Sequence, residues 1–464
     1  MMLNVLERAV ESGRDMGATY VEVRGEKSFL EFIQMDDYKV TALTQRIEQG
    51  VAIRVLADGA WGFVSTGNLD QLNKAVSDAT ALAKAAAKTR REPIELAEIK
   101  TCEDKVTLKV EKDPKHVPIE EKINYLTNMS KSIFEYDERI SATTLKLETA
   151  SGEKFLVTSE GTKIQSPIML VWSMPWASGK DGSKLSAARH QEASTNKGWE
   201  YMESFATPEF MGETTAKRVK LQLEGVSPKV GSFPCVLGPR VVGTFAHEVL
   251  GHLAEADLNV HTPFNGKIGA VVASAGLSMV DDGTNFGQVG VGKYDDEGVP
   301  TSRVEIIKDS VLAELLTNRE YAAKLGQRVT GNARAQSYLV PPAIRMRSTF
   351  IESGDFQEEE MFEGIDFGYF CVDFRGGSAQ MNASFQVGIQ EAYEIVKGEI
   401  GQPVADLSIS GIGTDSLLKI DAISKKELHY GAGRCGKFGQ WAYVSDGGTD
   451  IRFSKGGITF GGKS

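Results

Sequence analysis

Two histidines flank a glutamate in the segment Phe245-Ala246-His247-Glu248-Val249-Leu250-Gly251-His252-Leu253. Imidazole nitrogens ligate transition metals, and a carboxylate beside them can take a proton from water, so these residue types suit metal-assisted hydrolysis. Metal-hydrolase helices commonly use HExxH, which puts both rings on one face. Here the pattern is HExxxH. On a regular helix, residues five apart differ by roughly 140°, so the rings would diverge. A single wide turn would bring them together, and π-bulges occur mostly at functional sites. Gly251 would ease that distortion or end the helix. The helix itself is expected to open at Gly238-Pro239, after a short strand at Pro234–Leu237, with Val242, Phe245 and Val249 on its buried face.

Spacing does not fix a third ligand: Glu255, Asp257, His261, His429 and Cys435 are all candidates. Glu255 follows His252 by three residues and could share its face or serve as a partner behind it. Gly431-Ala432-Gly433-Arg434-Cys435-Gly436 matches GxGxxG. A dinucleotide site needs a strand before that motif and a helix after it. Lys437 to Val444 reads instead as a turn into a strand, so the nucleotide reading is rejected. A glycine-rich turn presenting Cys435 suits a metal ligand better. Tyr430, His429 and Arg434 are candidates to steady an oxyanion.

Elements to position these groups are legible on both sides. In residues 1–90, Leu3, Leu6, Val10 and Gly13 mark one face of a helix. Val51, Ile53 and Val55 lead through Asp58-Gly59 into Trp61, Phe63 and Val64, a hairpin signal. Asn68 can cap a helix carrying Leu69, Leu72, Val76, Ala79, Leu82 and Ala86 on one face. Residues 95–225 repeat the theme: a helix after Pro118, long strands through Thr143–Leu147, Phe155–Thr158 and Ile164–Trp172, and a helix from Thr207-Pro208 to about Glu224. The expected class is α+β: an N-terminal α/β region of helices on antiparallel strands (1–226, with a sub-boundary near 92), then a glycine-rich, sheet-dominated domain (227–464) that holds the metal motif.

The chain has 464 residues, 41% hydrophobic and 25% charged, enough for two or three domains with real cores. A net charge of -11 argues against nucleic acid as the main partner. No apolar run approaches membrane-spanning length, and the N-terminus lacks a secretory pattern, so a soluble cytoplasmic protein is expected. Cys102, Cys235, Cys371 and Cys435 are too dispersed for a disulfide framework.

Taken together, the HExxxH segment and Gly433-Arg434-Cys435-Gly436-Lys437-Phe438-Gly439-Gln440 resemble the TldD/PmbA family of metallopeptidases, in its TldD-type catalytic branch. Supporting segments are Tyr294–Thr301, Gly331–Ala335, Arg345-Met346 and the ending Ile458–Gly462. The resemblance spans nearly the whole chain. It implies a zinc ion held by His247, His252 and Cys435, with Glu248 as the base that activates water. It also implies a dimer, with itself or with a paralogue lacking the metal motif, that cleaves unfolded proteins or trims leader segments from peptides. Two imidazoles and a thiolate suit zinc and leave one position open. An extended peptide could pair along Phe155–Thr158 or Ile164–Trp172. The alternatives are a zinc amidohydrolase acting on a small molecule and a non-catalytic partner subunit of a peptidase heterodimer.

Overall fold

Alternating apolar residues in Tyr20–Asp36 and Lys39–Ala57 build a long antiparallel hairpin, and the second strand turns at Asp58-Gly59 into Ala60–Thr66. The computed structural model describes residues 2–274 and 276–462. Helix Met2–Asp15 buries Leu6, Ala9, Val10 and Gly13. Asn68 accepts a hydrogen bond from Asp70 N and starts the short turn that feeds helix Leu72–Ala87. That helix turns Ala83 inward and leaves Leu82 51% exposed. The expected inward Leu82 is therefore a correction. Leu72, Val76, Ala79 and Ala83 form the buried stripe, and Leu82, one residue before Ala83, lies roughly 100° off it; Ala86, near the helix end, is exposed as well.

The second helix-and-strand unit joins the same sheet rather than forming its own. Strand Ile140–Thr158 pairs with Tyr20–Asp36 on one side and with Lys163–Asp181 on the other. The result is an eight-stranded sheet. Helices Ile119–Tyr136 and Pro208–Glu224 bury Leu126, Met129, Ile133, Met211 and Val219 against Leu145, Leu147 and Val171. Thr207 caps the later helix by accepting from Phe210 N. Phe155–Thr158 is interior, flanked by Glu22–Gly25 and by Lys163–Gln165, so it offers no edge to a peptide. The neighbouring strand differs. Its residues 163–165 pair with Glu103–Lys105 and its residues 171–173 with Glu192–Ser194. Between them, 166–170 has no strand partner on that side among the described residues.

The C-terminal half contains a nine-stranded sheet and a six-stranded sheet. The helical run from Pro239 to Gly251 lies between them, touching Phe367–Ala379 of the first and Gln440–Gly448 and Ser348–Ile351 of the second. Val242, Phe245, Val249 and Leu250 enter one large core, and Phe245 meets the rings of Phe385 and Phe453 edge-on at 5.6 and 5.5 Å. A helix covered on all sides can be apolar all round, which explains why so few of its residues are polar. The polar exceptions are informative for that reason. The architecture is α+β throughout, as the residue pattern predicts.

Candidate metal centre

Pro239–Thr244 is regular α-helix, opened by Pro239 in its first turn after strand Cys235–Leu237. Phe245–Gly251 is then a π-helix. The amide of His252 donates to the carbonyl of His247, five residues back, which is the wide turn that the HExxxH spacing requires. The rings of His247 and His252 stand 5.1 Å apart between centroids, nearly perpendicular. Gly251 is needed for a second reason as well. A Cβ there would sit 2.0 Å from Met346 Sδ. The strand leading to Ser348–Ile351 thus packs directly on the widened turn.

Cys435 arrives from strand His429–Lys437, not from a turn. This corrects the expectation of a glycine-rich turn at Gly431–Gly436. The turn itself is Phe438-Gly439, both with positive φ, a tight hairpin joining Lys437 to Gln440. The glycines upstream continue the ladder, with Cys435 opposite Ala442. Two side chains lock this hairpin over the π-turn. Lys437 Nζ donates to Glu255 Oε2 at 3.0 Å, Asp257 Oδ1 at 2.7 Å and the Ile344 carbonyl at 2.9 Å. The Arg345 guanidinium donates to the carbonyl of Cys435 itself.

One donor atom each from His247, His252 and Cys435 lies within 4.8 Å of the others, and no other such group of His, Cys, Asp or Glu is found among the described residues. The Sγ of Cys435 is 3.5 Å from Nε2 of His252. Zinc–ligand lengths near 2.0–2.3 Å at tetrahedral angles put donors roughly 3.3–3.8 Å apart, so this pair needs little movement to share an ion. Nδ1 of His247 is buried without a hydrogen-bond partner. The donor set is soft and suits zinc. The residues present therefore fit the metal.

Electrostatics support the same grouping. Burial opposes charge on His247, but the Cys435 sulfur beside it lifts its pKa to about 9. Burial would raise the Cys435 thiol, yet His247 and His252 hold it down at about 4. A protonated imidazole next to a thiolate is the metal-free counterpart of a cation held by both. The other candidates fall outside the donor group. Glu255 is fully buried and its Oε2 meets Nδ1 of His252 at 2.7 Å, leaving Nε2 to face Cys435. Despite burial, His252 and Lys437 hold the Glu255 carboxyl at about 2. Asp257 is occupied by Lys437, and His261 and His429 are exposed. A carboxylate behind a ligating histidine fixes its tautomer and orientation. Replacing Glu255 by glutamine is accordingly expected to weaken zinc binding about 10- to 100-fold without abolishing it, as read by competition with a chromogenic chelator. An unchanged affinity would remove Glu255 from that role.

Glu248 is half-buried and opens, with His247, into a cavity of about 520 Å³. Arg434 lies on its wall, whereas Tyr430 packs edge-on against Phe350 at 5.4 Å and His429 faces solvent. Of the three oxyanion candidates, only Arg434 reaches the cavity. Three wall residues were not legible from sequence. Asp446 is buried, and burial pushes its carboxyl up to about 6 against the pull of His247 and Arg240. Thr244 has a buried hydroxyl without a partner. Arg189 comes from the other half of the chain. None belongs to a recognisable motif, since each is placed only by the packing of distant strands. A second cavity, of about 480 Å³ between Arg24, Lys154, Asp296 and Arg334, contains none of the three donors.

Comparison with known proteins places this geometry in a class. The family models for PmbA/TldA metallopeptidase domain 1, central domain and C-terminal domain match residues 21–83, 112–223 and 230–459. The chain belongs to the PmbA/TldD metallopeptidase family. Relatives include the zinc metalloprotease TldD homolog of Saccharolobus solfataricus, 31% identical over 96% of this chain and 98% of that one. The metalloprotease MJ0996 of Methanocaldococcus jannaschii is 31% identical over 97% and 99%. Among solved structures, TldE from Thermococcus kodakarensis shares the fold, with a TM-score of 0.75 and 19% identity over 99% of this chain and 100% of that one.

Proposed function

We propose that this metallopeptidase is a zinc enzyme whose ion is held by His247, His252 and Cys435 and whose general base is Glu248. The observation carrying this reading is the gathering of three soft donors on a π-turn, with Glu248 on that same turn opening into the adjoining cavity. When bound, zinc would supply Lewis-acid polarisation of a scissile carbonyl and acidify a water. Glu248 takes the proton from that water and returns it to the leaving amine. Arg434, held by Glu148 at 3.4 Å, is a cation on the wall that can steady developing negative charge. The small-molecule amidohydrolase has no separate observation in its favour. The role of non-catalytic partner is disfavoured because the whole donor set and the base are present.

The substrate proposed is unfolded protein or extended peptide, including leader segments. An amide in a helix or sheet is already hydrogen-bonded and sterically covered. The unpaired edge at 166–170 lies on the strand that continues to Trp172 and Met174 in the cavity wall, so an extended chain can pair there and run toward Glu248. A stable protein and its destabilised point mutant are expected to differ in cleavage rate in proportion to their unfolded fractions. Equal rates, with the folded form verified as folded, would defeat this reading.

We also propose a dimer, with a second copy or a metal-free paralogue. The first half of Lys39–Ala57 has an unpaired edge among the described residues and exposes Val40, Leu43 and Ile47, with Tyr38 beside them. Such rows are usually covered. The expected native mass is twice that of the chain, or the sum with a paralogue when purified from its host. A monomeric mass across a wide concentration range, with activity retained, would overturn it. The boundary near 226 is proposed as the limit of a folding unit, supported by the helix ending at Glu224, and the sub-boundary near 92 as the join between two halves that share one sheet. No helix among the described residues is long and apolar enough to cross a membrane, and with four free cysteines a cytoplasmic location is proposed.

A further inference from the structure

Arg189 ends strand Lys184–Arg189 and points a guanidinium into the cavity beside Glu248. Its main chain is clamped. Its amide donates to Gln390 Oε1 at 3.1 Å, and its carbonyl accepts from Gln390 Nε2 at 2.9 Å and Arg218 Nη1 at 3.0 Å. Gln390 and Arg218 are both anchored on the fully buried Asp373. The side chain, by contrast, makes only one polar contact among the described residues, 3.7 Å to the sulfur of Met174. Its neighbours Arg218 and Arg240 share Asp373 as an ion-pair partner, whereas no described Asp or Glu lies within ion-pair distance of Arg189. A rigid backbone that presents a half-buried, unpaired fork is the arrangement of a recognition group rather than of a structural tie.

The rest of the wall narrows the chemistry. Lys146 also lines the cavity, with no described Asp or Glu within ion-pair distance and Asp36 attracting it from farther off. Phe32, Trp172 and Phe374 supply apolar surface. Glu248 and Asp446 stand on the same wall, so a doubly charged phosphate would meet more repulsion than a single carboxylate. Burial makes the cation at Arg189 costly; Asp373 offsets part of that cost and Arg240 and Arg218 add to it, so an anion in direct contact would relieve what remains.

Resting on the peptidase reading above, we propose that Arg189 anchors a carboxylate of the bound peptide, so that the cavity selects substrates carrying one near the scissile bond. The carboxylate has two sources, an acidic side chain or the C-terminus of the peptide. Lys146 adds long-range attraction, and Arg189 provides the forked contact.

The test uses the full-length zinc-loaded chain and four unstructured peptides: one containing a single glutamate, its glutamine counterpart, and each with a free or amidated C-terminus. Affinity is measured by calorimetry on the Glu248→Gln protein, and kcat/KM on protein with Glu248 intact. The carboxylate form is expected to bind about 10- to 100-fold more tightly than its neutral counterpart, the worth of one hydrogen bond to an ionised group. Which replacement removes the preference identifies the source. Arg189→Gln should bring the ratio close to one, mainly through KM, and Arg189→Lys should restore part of it. Thermal melting of both variants verifies their folding. Equal binding of all four peptides, or a ratio unchanged in Arg189→Gln, overturns the proposal and leaves Arg189 as a counter-charge to Glu248 and Asp446. Discrimination in binding without turnover of any peptide would overturn the peptidase reading alone.

Discussion

Glu248→Gln is expected to keep the fold and about one zinc per chain while kcat falls about 10²- to 10⁴-fold. The amide is nearly isosteric with the carboxylate, so the cavity wall at Thr244, His247 and Asp446 need not move. Glu248 is absent from the donor group, so zinc content should not change. What the amide cannot do is take a proton from water. Of the acids on the wall, Asp446 is the one that could substitute, and its carboxyl titrates at about 6 because burial disfavours its charge. The Glu248 charge also raises Asp446, so in Glu248→Gln a residual activity that rises with pH below about 6 would identify Asp446 as the substitute. Turnover within a few-fold of the unaltered protein, with zinc present, would show that Glu248 is not the base.

Cys435→Ala is expected to reduce zinc from about one per chain to a small fraction after dialysis. Structural zinc sites bind with roughly 10–16 kcal/mol spread over four ligands, so each ligand carries about 3 kcal/mol, a loss on the order of 10²-fold. The hairpin should survive, because Lys437 and Arg345 hold it through Glu255, Asp257, the Ile344 carbonyl and the backbone of Cys435 rather than through the thiol. Elemental analysis and a melting curve together separate loss of a ligand from loss of the fold. Undiminished zinc in a folded variant would remove Cys435 from the site. Glu255 would be the next candidate, since its second oxygen, Oε1, is buried without a partner. His429, exposed on its strand, would not.

Several local features needed only the sequence. The helix starts at Thr207-Pro208 and Gly238-Pro239, the turn at Asp58-Gly59 and the alternation at Val51–Val55 are set by side chains acting on their own backbone. The π-turn was legible in the same way, because His247 and His252 cannot share an ion at a spacing of five on a regular helix. Cys435 became a candidate from its glycine-rich setting and a ligand from the family resemblance, not from its spacing to the histidines.

Tertiary structure alone decided the rest. Phe155–Thr158 is interior because the strand Tyr20–Asp36, 130 to 136 residues earlier at the paired positions, lies beside it, a register that no local pattern encodes. Glu255, one of five candidates in an open choice, is held behind His252 by Lys437, which reaches it across 182 residues. Arg189, Thr244 and Asp446 meet on one wall only after two halves of the chain have packed. Sequence by itself determined which residues can do the chemistry and how the backbone must widen to present them. The approach of Cys435, the proposed third ligand, the partner behind His252 and the shape and charge of the cavity came from long-range strand pairing, whose free energy is distributed over many residues and leaves no local signature.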